Sequence, residues 1–162
     1  MSPRPSLSAA EPDPRWFRSR PPRDALIDSG PLIALFNRSD RWNPATMAWL
    51  ESNQHVRLHS TWPVMTEVCA LLARRVHNLA AIDFLEWAQR GALRLDSPPD
   101  GALVSVMGIC RRFASLPLDL ADASIAEAAA RLGIAHLVSL DRDFDVYRDA
   151  NGKKLKNLFS PR

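Results

Sequence analysis

Cysteine is scarce in this chain, with only Cys69 and Cys110 among 162 residues. Each falls inside an apolar helical pattern and neither belongs to a CxxC pair, which argues against a disulfide framework and against a thiolate zinc site. A reducing, cytoplasmic setting is the expectation. No stretch approaches the ~18 to 20 consecutive apolar residues that a membrane span needs, so no membrane association is expected. The four histidines, His55, His59, His77 and His136, show neither HxxxH nor HExxH spacing and do not read as a zinc set. His59, at a strand end, is the one of interest, and a core or surface role is its default. Lysine is missing before Lys153, and no internal repeat is visible.

Charge of one sign is also in short supply once it is located. The net charge is +3 and the pI about 9.3, values that suggest a polyanion partner. Residues 1–23, however, hold five arginines against Glu11 and Asp13, and the remaining 139 residues are balanced, with 16 basic and 16 acidic side chains. Binding of nucleic acid by the domain must therefore rest on placed residues. The first 23 residues also contain six of the thirteen prolines and no periodicity, the composition of a disordered leader or an over-long start. Residues 24–162, within a chain of 46% hydrophobic and 24% charged residues, suffice for one domain with its own core.

From Asp24 onward, short apolar runs alternate with helical stretches. Ala25-Leu26-Ile27 reads as a buried strand ending at Asp28, followed by an apolar turn over Leu32 to Phe36. Asn43-Pro44 gives an N-cap and first-turn proline for a helix to Ser52. A strand is expected over Val56 to His59, a helix capped by Thr61 over Trp62 to His77, and another capped by Asn78 and stopped at Gly91. Leu93 and Leu95 mark a third strand. Helices over Asp100 to Phe113 and from the cap Asp119 to Gly133 precede a strand over Ile134 to Leu140, and Leu155 to Phe159 reads as an edge strand. Strands separated by helices of this length imply parallel pairing, an α/β sandwich with helices on both faces.

In such sheets ligands bind outside the carboxyl ends of the strands. Asp28 and Asp141 stand there, directly after Leu26-Ile27 and after Leu137-Val138-Ser139-Leu140. Either alone also reads as an ordinary turn or cap residue; the pair points to function. On the helix after Asp119, Ala121, Ile125, Ala128 and Leu132 define a buried stripe. Asp122 falls about 90° from its centre and Asp119 about 150° away, which makes Asp119 a solvated N-cap and Asp122 a boundary acid aimed into a cleft. Glu67 lies between Val64 and Leu71 on its own helix, again beside apolar neighbours; a surface glutamate is the equal alternative. Carboxylates converging on one cleft repel one another unless cations neutralise them, and hard oxygen ligands in that number suit Mg²⁺ or Mn²⁺.

With these residues in place, the chain resembles the PIN-domain family, in particular the compact bacterial ribonucleases of type II toxin-antitoxin pairs, the VapC-like toxins. The resemblance lies in LIDSGPLIALF around Asp28, TWPVMTEVCALL around Glu67, LPLDLADASIAEAAARLG around Asp122 and HLVSLDRDFDVYR around Asp141. Each segment is weak alone; four in register over nearly all of residues 24–148 are a strong signal. The resemblance implies a three-layer sandwich with a mainly parallel sheet, in which Asp28, Glu67, Asp122 and Asp141 hold Mg²⁺ or Mn²⁺ and a metal-activated water cleaves RNA. Ser29 would contact metal water or phosphate. Asp143 and Asp119 would stand behind the ligands, Asp143 being ambiguous between the two roles. The resemblance further implies a homodimer and a small antitoxin whose C-terminal segment offers a cation to the acids.

Specificity would lie outside the acids. Arg38 and Arg41 after the first helix, and Arg142 and Arg148 near the last acid, are the local candidates for phosphate contacts, each with solvation as its bland alternative. Phe36, Trp42, Met47 and Trp49 crowd the segment from Leu32 to Leu50, either packed inside or left for an interface. Two rival readings are a catalytically silent PIN module and a receiver-like phosphoacceptor domain. The second needs an acid pair after the first strand and a lysine after the last; only one acid is there.

Overall fold

A computed structural model describes residues 22–117, 119–159 and 161. The expected leader lies outside the described residues except for Pro22 and Arg23, and the Arg23 carbonyl already accepts from the Arg57 amide at 2.7 Å. Five strands, β1 (Asp24–Ile27), β2 (Arg57–Ser60), β3 (Arg94–Leu95), β4 (His136–Val138) and β5 (Lys156–Asn157), form one sheet in the order β3-β2-β1-β4-β5. Every pairing between them is parallel. Six helices accompany it: α1 (Ser29–Phe36), α2 (Asn43–Ser52), α3 (Trp62–Arg75), α4 (Asn78–Trp87), α5 (Ala102–Arg112) and α6 (Leu120–Leu132). This is the α/β sandwich that the alternation of strands and helices predicts. Successive residues of a strand face opposite sides of the sheet, and Ala25, Leu26 and Ile27 are all buried, so both faces of β1 are covered. β5 is an edge, with Lys156 and Asn157 exposed. Among the described residues no helix is long and apolar enough to cross a membrane.

Several local expectations are corrected. β2 runs one residue later than the expected strand, and Ser60 closes it by donating its hydroxyl to the Ile27 carbonyl at 3.0 Å. Asn43 does not cap α2. It lies inside the helix, and its amide donates to the last carbonyls of α1, Ala34 (2.8 Å) and Leu35 (3.1 Å). Nor does Asn78 cap α4; the His77 ring does, accepting from the Ala80 amide through Nδ1 at 3.0 Å. Thr61 occupies the cap position of α3 without capping it, because its hydroxyl pairs instead with Ser124 Oγ on α6 at 2.6 Å. Asn43 and Thr61 found tertiary partners that local propensity does not register, whereas at α4 the cap shifts by one residue to His77.

The largest departure is α6. An amphipathic helix with one buried stripe is expected, yet every residue from Ala121 to Ala129 is buried. Five of those nine are alanine, small enough to let α3 and α5 both pack closely on it. Asp119 caps the helix as expected, accepting from the Ala121 and Asp122 amides at 2.8 and 3.2 Å, and Gly133 ends it in the left-handed conformation at φ 68°. Burial on all sides brings Glu127 inside. Its carboxylate is matched by Arg131 Nε at 2.8 Å, and the same guanidinium forks onto Asp96, just past β3.

The Glu127 and Asp96 side chains are only 7% and 6% exposed, so removing their shared cation strands two buried charges. Arg131→Met is expected to destabilise the fold by about 3 kcal/mol or more, read from the urea midpoint. A loss below about 1 kcal/mol, the size of an exposed ion pair, would mean that water already screens the triad.

Candidate active site

The strand order reverses between β1 and β4, and in an open parallel sheet that reversal opens a crevice outside the carboxyl ends. Asp28 follows β1 at this point and is 4% exposed. It caps α1 with Oδ1, which accepts from the Ser29 amide at 2.6 Å, while its own amide donates to the Val138 carbonyl at 3.0 Å. Its other oxygen, Oδ2, accepts from the Ser139 hydroxyl at 2.9 Å. The same hydroxyl oxygen accepts from the Asp141 amide at 2.9 Å, so one buried serine ties the acid after β1 to the acid after β4. Ser139 is in turn held by Asn157 of β5, whose amide nitrogen donates to the Ser139 carbonyl (2.9 Å) and whose oxygen accepts from the Ser139 amide (3.2 Å). Asp141 Oδ1 accepts from the Asp143 amide at 2.8 Å, which starts a short 3₁₀ turn over Asp143–Asp145.

The helices bring the other two acids. Asp122, in the first turn of α6, is buried rather than at the boundary; the expectation erred because α6 has no solvent face there. Glu67 on α3 is half-buried. Electrostatics connects all four residues. Burial pushes Asp28 up to about 6 against the hydrogen bonds from Ser29 and Ser139, with Glu67 and Asp141 adding to the rise. Burial also pushes Asp122 up to about 8, reinforced by the charges of Asp28, Asp119, Asp141 and Glu67. A helix N-terminus ordinarily favours a carboxylate; here desolvation and like charge outweigh it.

Three residues beside the acids were not singled out by their sequence. Ser139 and Asn157 are described above. The third is Tyr147, the only tyrosine of the chain, buried against Phe113 and Phe144 with ring centroids 5.0 and 5.8 Å away. Burial, followed by the charges of Asp122 and Asp119, pushes its hydroxyl up to about 12. His59 is engaged elsewhere, with Nε2 2.7 Å from Asp24, which also holds Arg57. Of the candidate arginines, Arg142 lines the cleft beside Asp141, Arg41 stacks 4.7 Å from the centroid of the Trp42 ring, and Arg38 is exposed in the loop between α1 and α2. Arg148 is turned onto backbone carbonyls of its own loop, Asp145 and Val146 among them.

The donor chemistry fits a hard divalent cation: four carboxylates, two of them driven toward the neutral form by burial and by neighbouring negative charge, both of which a cation would offset. Among the described residues no three carboxyl, imidazole or thiol groups already stand in ligand geometry, so the fit rests on donor type and mutual repulsion.

A family model of the PIN domain matches residues 25–150. The chain belongs to the PIN-domain family. Among solved structures, its fold is similar to the VapC20 toxin of Mycobacterium tuberculosis, described as cleaving the sarcin-ricin loop: TM-score 0.69 and 19% identity over 75% of this chain and 93% of that one. It is also similar to VapBC2 of Rickettsia felis bound to a promoter DNA fragment: TM-score 0.58 and 13% identity over 83% of this chain and 98% of that one. No curated protein matches by sequence. The PIN-domain match spans Asp28, Glu67, Asp122 and Asp141 together.

Raised carboxyl pKa values make this PIN domain bind more protons folded than unfolded, where aspartate titrates near ~3.9. The stabilisation from the neutral acids is complete below that value and is lost as pH rises through about 6 for Asp28 and about 8 for Asp122. The melting temperature of chelator-treated protein should therefore fall between pH 5 and pH 8.5, and Asp122→Asn should flatten the upper part of the fall. Saturating Mg²⁺ or Mn²⁺ should restore stability at the alkaline end. A melting temperature that is flat or rises over this range would show that the four acids do not share one field.

Proposed function

We propose that this PIN domain is a divalent-metal-dependent endoribonuclease, the toxin of a type II toxin-antitoxin pair, with Asp28, Glu67, Asp122 and Asp141 as its metal ligands. The observation that carries this reading is the pair of buried acids at the strand-order reversal, Asp28 and Asp122, whose proton affinity is raised by burial and raised further by the charges of Glu67 and Asp141. The similarity of fold to a sarcin-ricin-loop-cleaving toxin favours structured RNA as the substrate. The similarity to VapBC2 favours an antitoxin partner.

Asp28, Glu67, Asp122 and Asp141 would hold a divalent ion such as Mg²⁺ or Mn²⁺, which would make bound water more acidic and offset charge on the phosphoryl oxygens. The chain's own contribution is to keep the carboxylates in place. Ser139 holds Asp28 and Asp141 to each other, leaving Asp28 Oδ1 oriented by the Ser29 amide. Ser29 is half-buried beside Asp28, where its hydroxyl can donate to a phosphate oxygen or to water. Asp122, buried in the first turn of α6, would complete the ligand set. Asp143 and Asp119 stand behind Asp141 and Asp122 through backbone hydrogen bonds. A homodimer and an antitoxin segment that places an arginine or lysine among the acids complete the proposal, since an uncompensated acid cluster attracts a cation.

Asp28→Asn and Asp122→Asn should each lower cleavage of a structured RNA in Mg²⁺ by at least about 100-fold, and chelator should abolish it in wild type. Thermal melts of the same preparations separate this from unfolding. Equal cleavage by wild type and Asp28→Asn would remove the acid cluster from the chemistry, and absence of cleavage by folded wild type in either metal would leave a catalytically silent PIN module.

A further inference from the structure

The chain has only three lysines, Lys153, Lys154 and Lys156, all within four residues. That segment leads into and forms β5, the edge strand whose Asn157 fixes Ser139. Lys154 and Lys156 line a cleft of about 740 Å³ that Ser139 and Asp141 also line. Trp42, at the start of α2, lines it as well, with the Arg41 guanidinium 4.7 Å from its ring centroid. Arg142 lies beside Asp141 at the same mouth. The cleft is within the ~300–1,000 Å³ range of small-ligand sites. Its lining brings three cations and an indole together with two acids, Asp141 and Asp145.

We propose that this cleft seats an unpaired RNA segment flanking the scissile phosphate, with Lys154, Lys156 and Arg142 on its backbone and Trp42 under a base. The inference rests on the ribonuclease reading of the acid cluster and assigns the side from which the strand arrives. Cations spaced along a groove with an aromatic platform are the combination by which single-stranded nucleic acid is held without base-pair geometry. Unpaired RNA, unlike a duplex, offers a base face to stack. Among the described residues, the competitor for the lysines in the cleft is Asp145, 3.5 Å from Lys154 with both side chains exposed. Such a pair is weak enough for a phosphate to displace it. Because Ser139 and Asp141 belong both to the cleft and to the acid network, a strand lying on the lysines meets the acids without leaving the surface.

The test is equilibrium binding of a fluorescent single-stranded RNA oligomer to the full chain in an Asp28→Asn background, over a range of salt. Adding Lys154→Glu and Lys156→Glu should weaken binding at least tenfold and reduce the slope of log K against log salt by about 1.4, some 0.7 for each phosphate of a single strand that is no longer neutralised. Trp42→Leu should weaken binding about tenfold with the slope unchanged. Arg90→Glu, remote on the turn after α4, should change neither. Unaltered affinity and slope in the double lysine variant would overturn the proposal, and because both lysines are exposed the variant will fold. If wild type leaves RNA intact in Mg²⁺ and Mn²⁺ while the lysine variant loses binding, the cleft stands and the ribonuclease reading falls. If wild type cleaves RNA and the lysine variant binds and cleaves as well as its parent, the cleft falls and the ribonuclease reading stands.

Discussion

The burial of two carboxyl groups in the field of neighbouring acids is the constraint around which the rest of the molecule is arranged. Asp28 and Asp122 are 4% and 5% exposed, and each is desolvated in the field of further acids. Such a group costs stability unless hydrogen bonds, protons or cations compensate. Asp28 receives two hydrogen bonds, from Ser29 and Ser139, and its shift is correspondingly the smaller. Asp122 sits in a helix first turn, whose dipole offers partial compensation only, and it rises further. The acids are thus held at a high proton affinity by a fold whose stability comes from elsewhere: the apolar strands β1 and β4, and the alanine-rich α6 packed between α3 and α5.

The compensation that does exist runs through the sheet edge. Asn157 of β5 pairs with both backbone groups of Ser139, in the manner of a further backbone ladder. That pairing turns the Ser139 hydroxyl toward Asp28 and keeps its oxygen available to the Asp141 amide. Trp49 supports the same edge by donating its indole N–H to the Leu158 carbonyl at 3.0 Å and meeting Phe159 edge-on at 6.1 Å. Of the large residues in the Leu32 to Leu50 segment, Trp49 and Phe36 therefore serve the interior, Phe36 packing on Phe84 and Trp87. Met47 remains exposed, and Trp42 faces the cleft. A strand of two residues does the work of positioning two acids because its side chains, not its length, carry the contacts.

What could be read from the sequence follows the range of the forces involved. The run Ala25-Leu26-Ile27 and the segment from Ile134 to Leu140 announce central parallel strands because burial on both faces demands continuous apolar character. Asp119 and Gly133 announce the ends of α6 because capping is a local interaction. The candidate acids could be placed after strands and on helices by the same local rules. The exchange of partners at Asn43 and Thr61 could not, since each depends on a residue of another helix. The burial of Asp122 was hidden for a related reason: hydrophobic periodicity distinguishes a covered face from an open one only when an open face exists, and alanine on every side of α6 blurs it. Asn157 carries no periodic or motif signal, and Ser139 and Tyr147, although inside the segment HLVSLDRDFDVYR, have nothing in its pattern that sets them apart. Their importance arises only when the sheet order sets β5 beside β4 and folds the loop after Asp143 against α6.

Substrate charge poses the last problem for such a site. The RNA substrate proposed above is a polyanion, which four carboxylates would repel at the place where it must come closest. A cation among the acids reverses the sign locally, but its reach is limited by screening to about 8–10 Å at physiological salt, about the length of a nucleotide or two of chain. Beyond that range the balanced charge of residues 24–162 gives no steering, so attraction has to be built in at the border of the acid cluster. Lys154, Lys156 and Arg142 lie at that border, on the side where β5 already fixes Ser139. The same edge strand then serves two opposite electrostatic ends, holding acids together on one side and offering positive charge on the other. Placing both on β5 makes the approach of a phosphate and the alignment of Asp28 and Asp141 depend on the same short stretch of backbone.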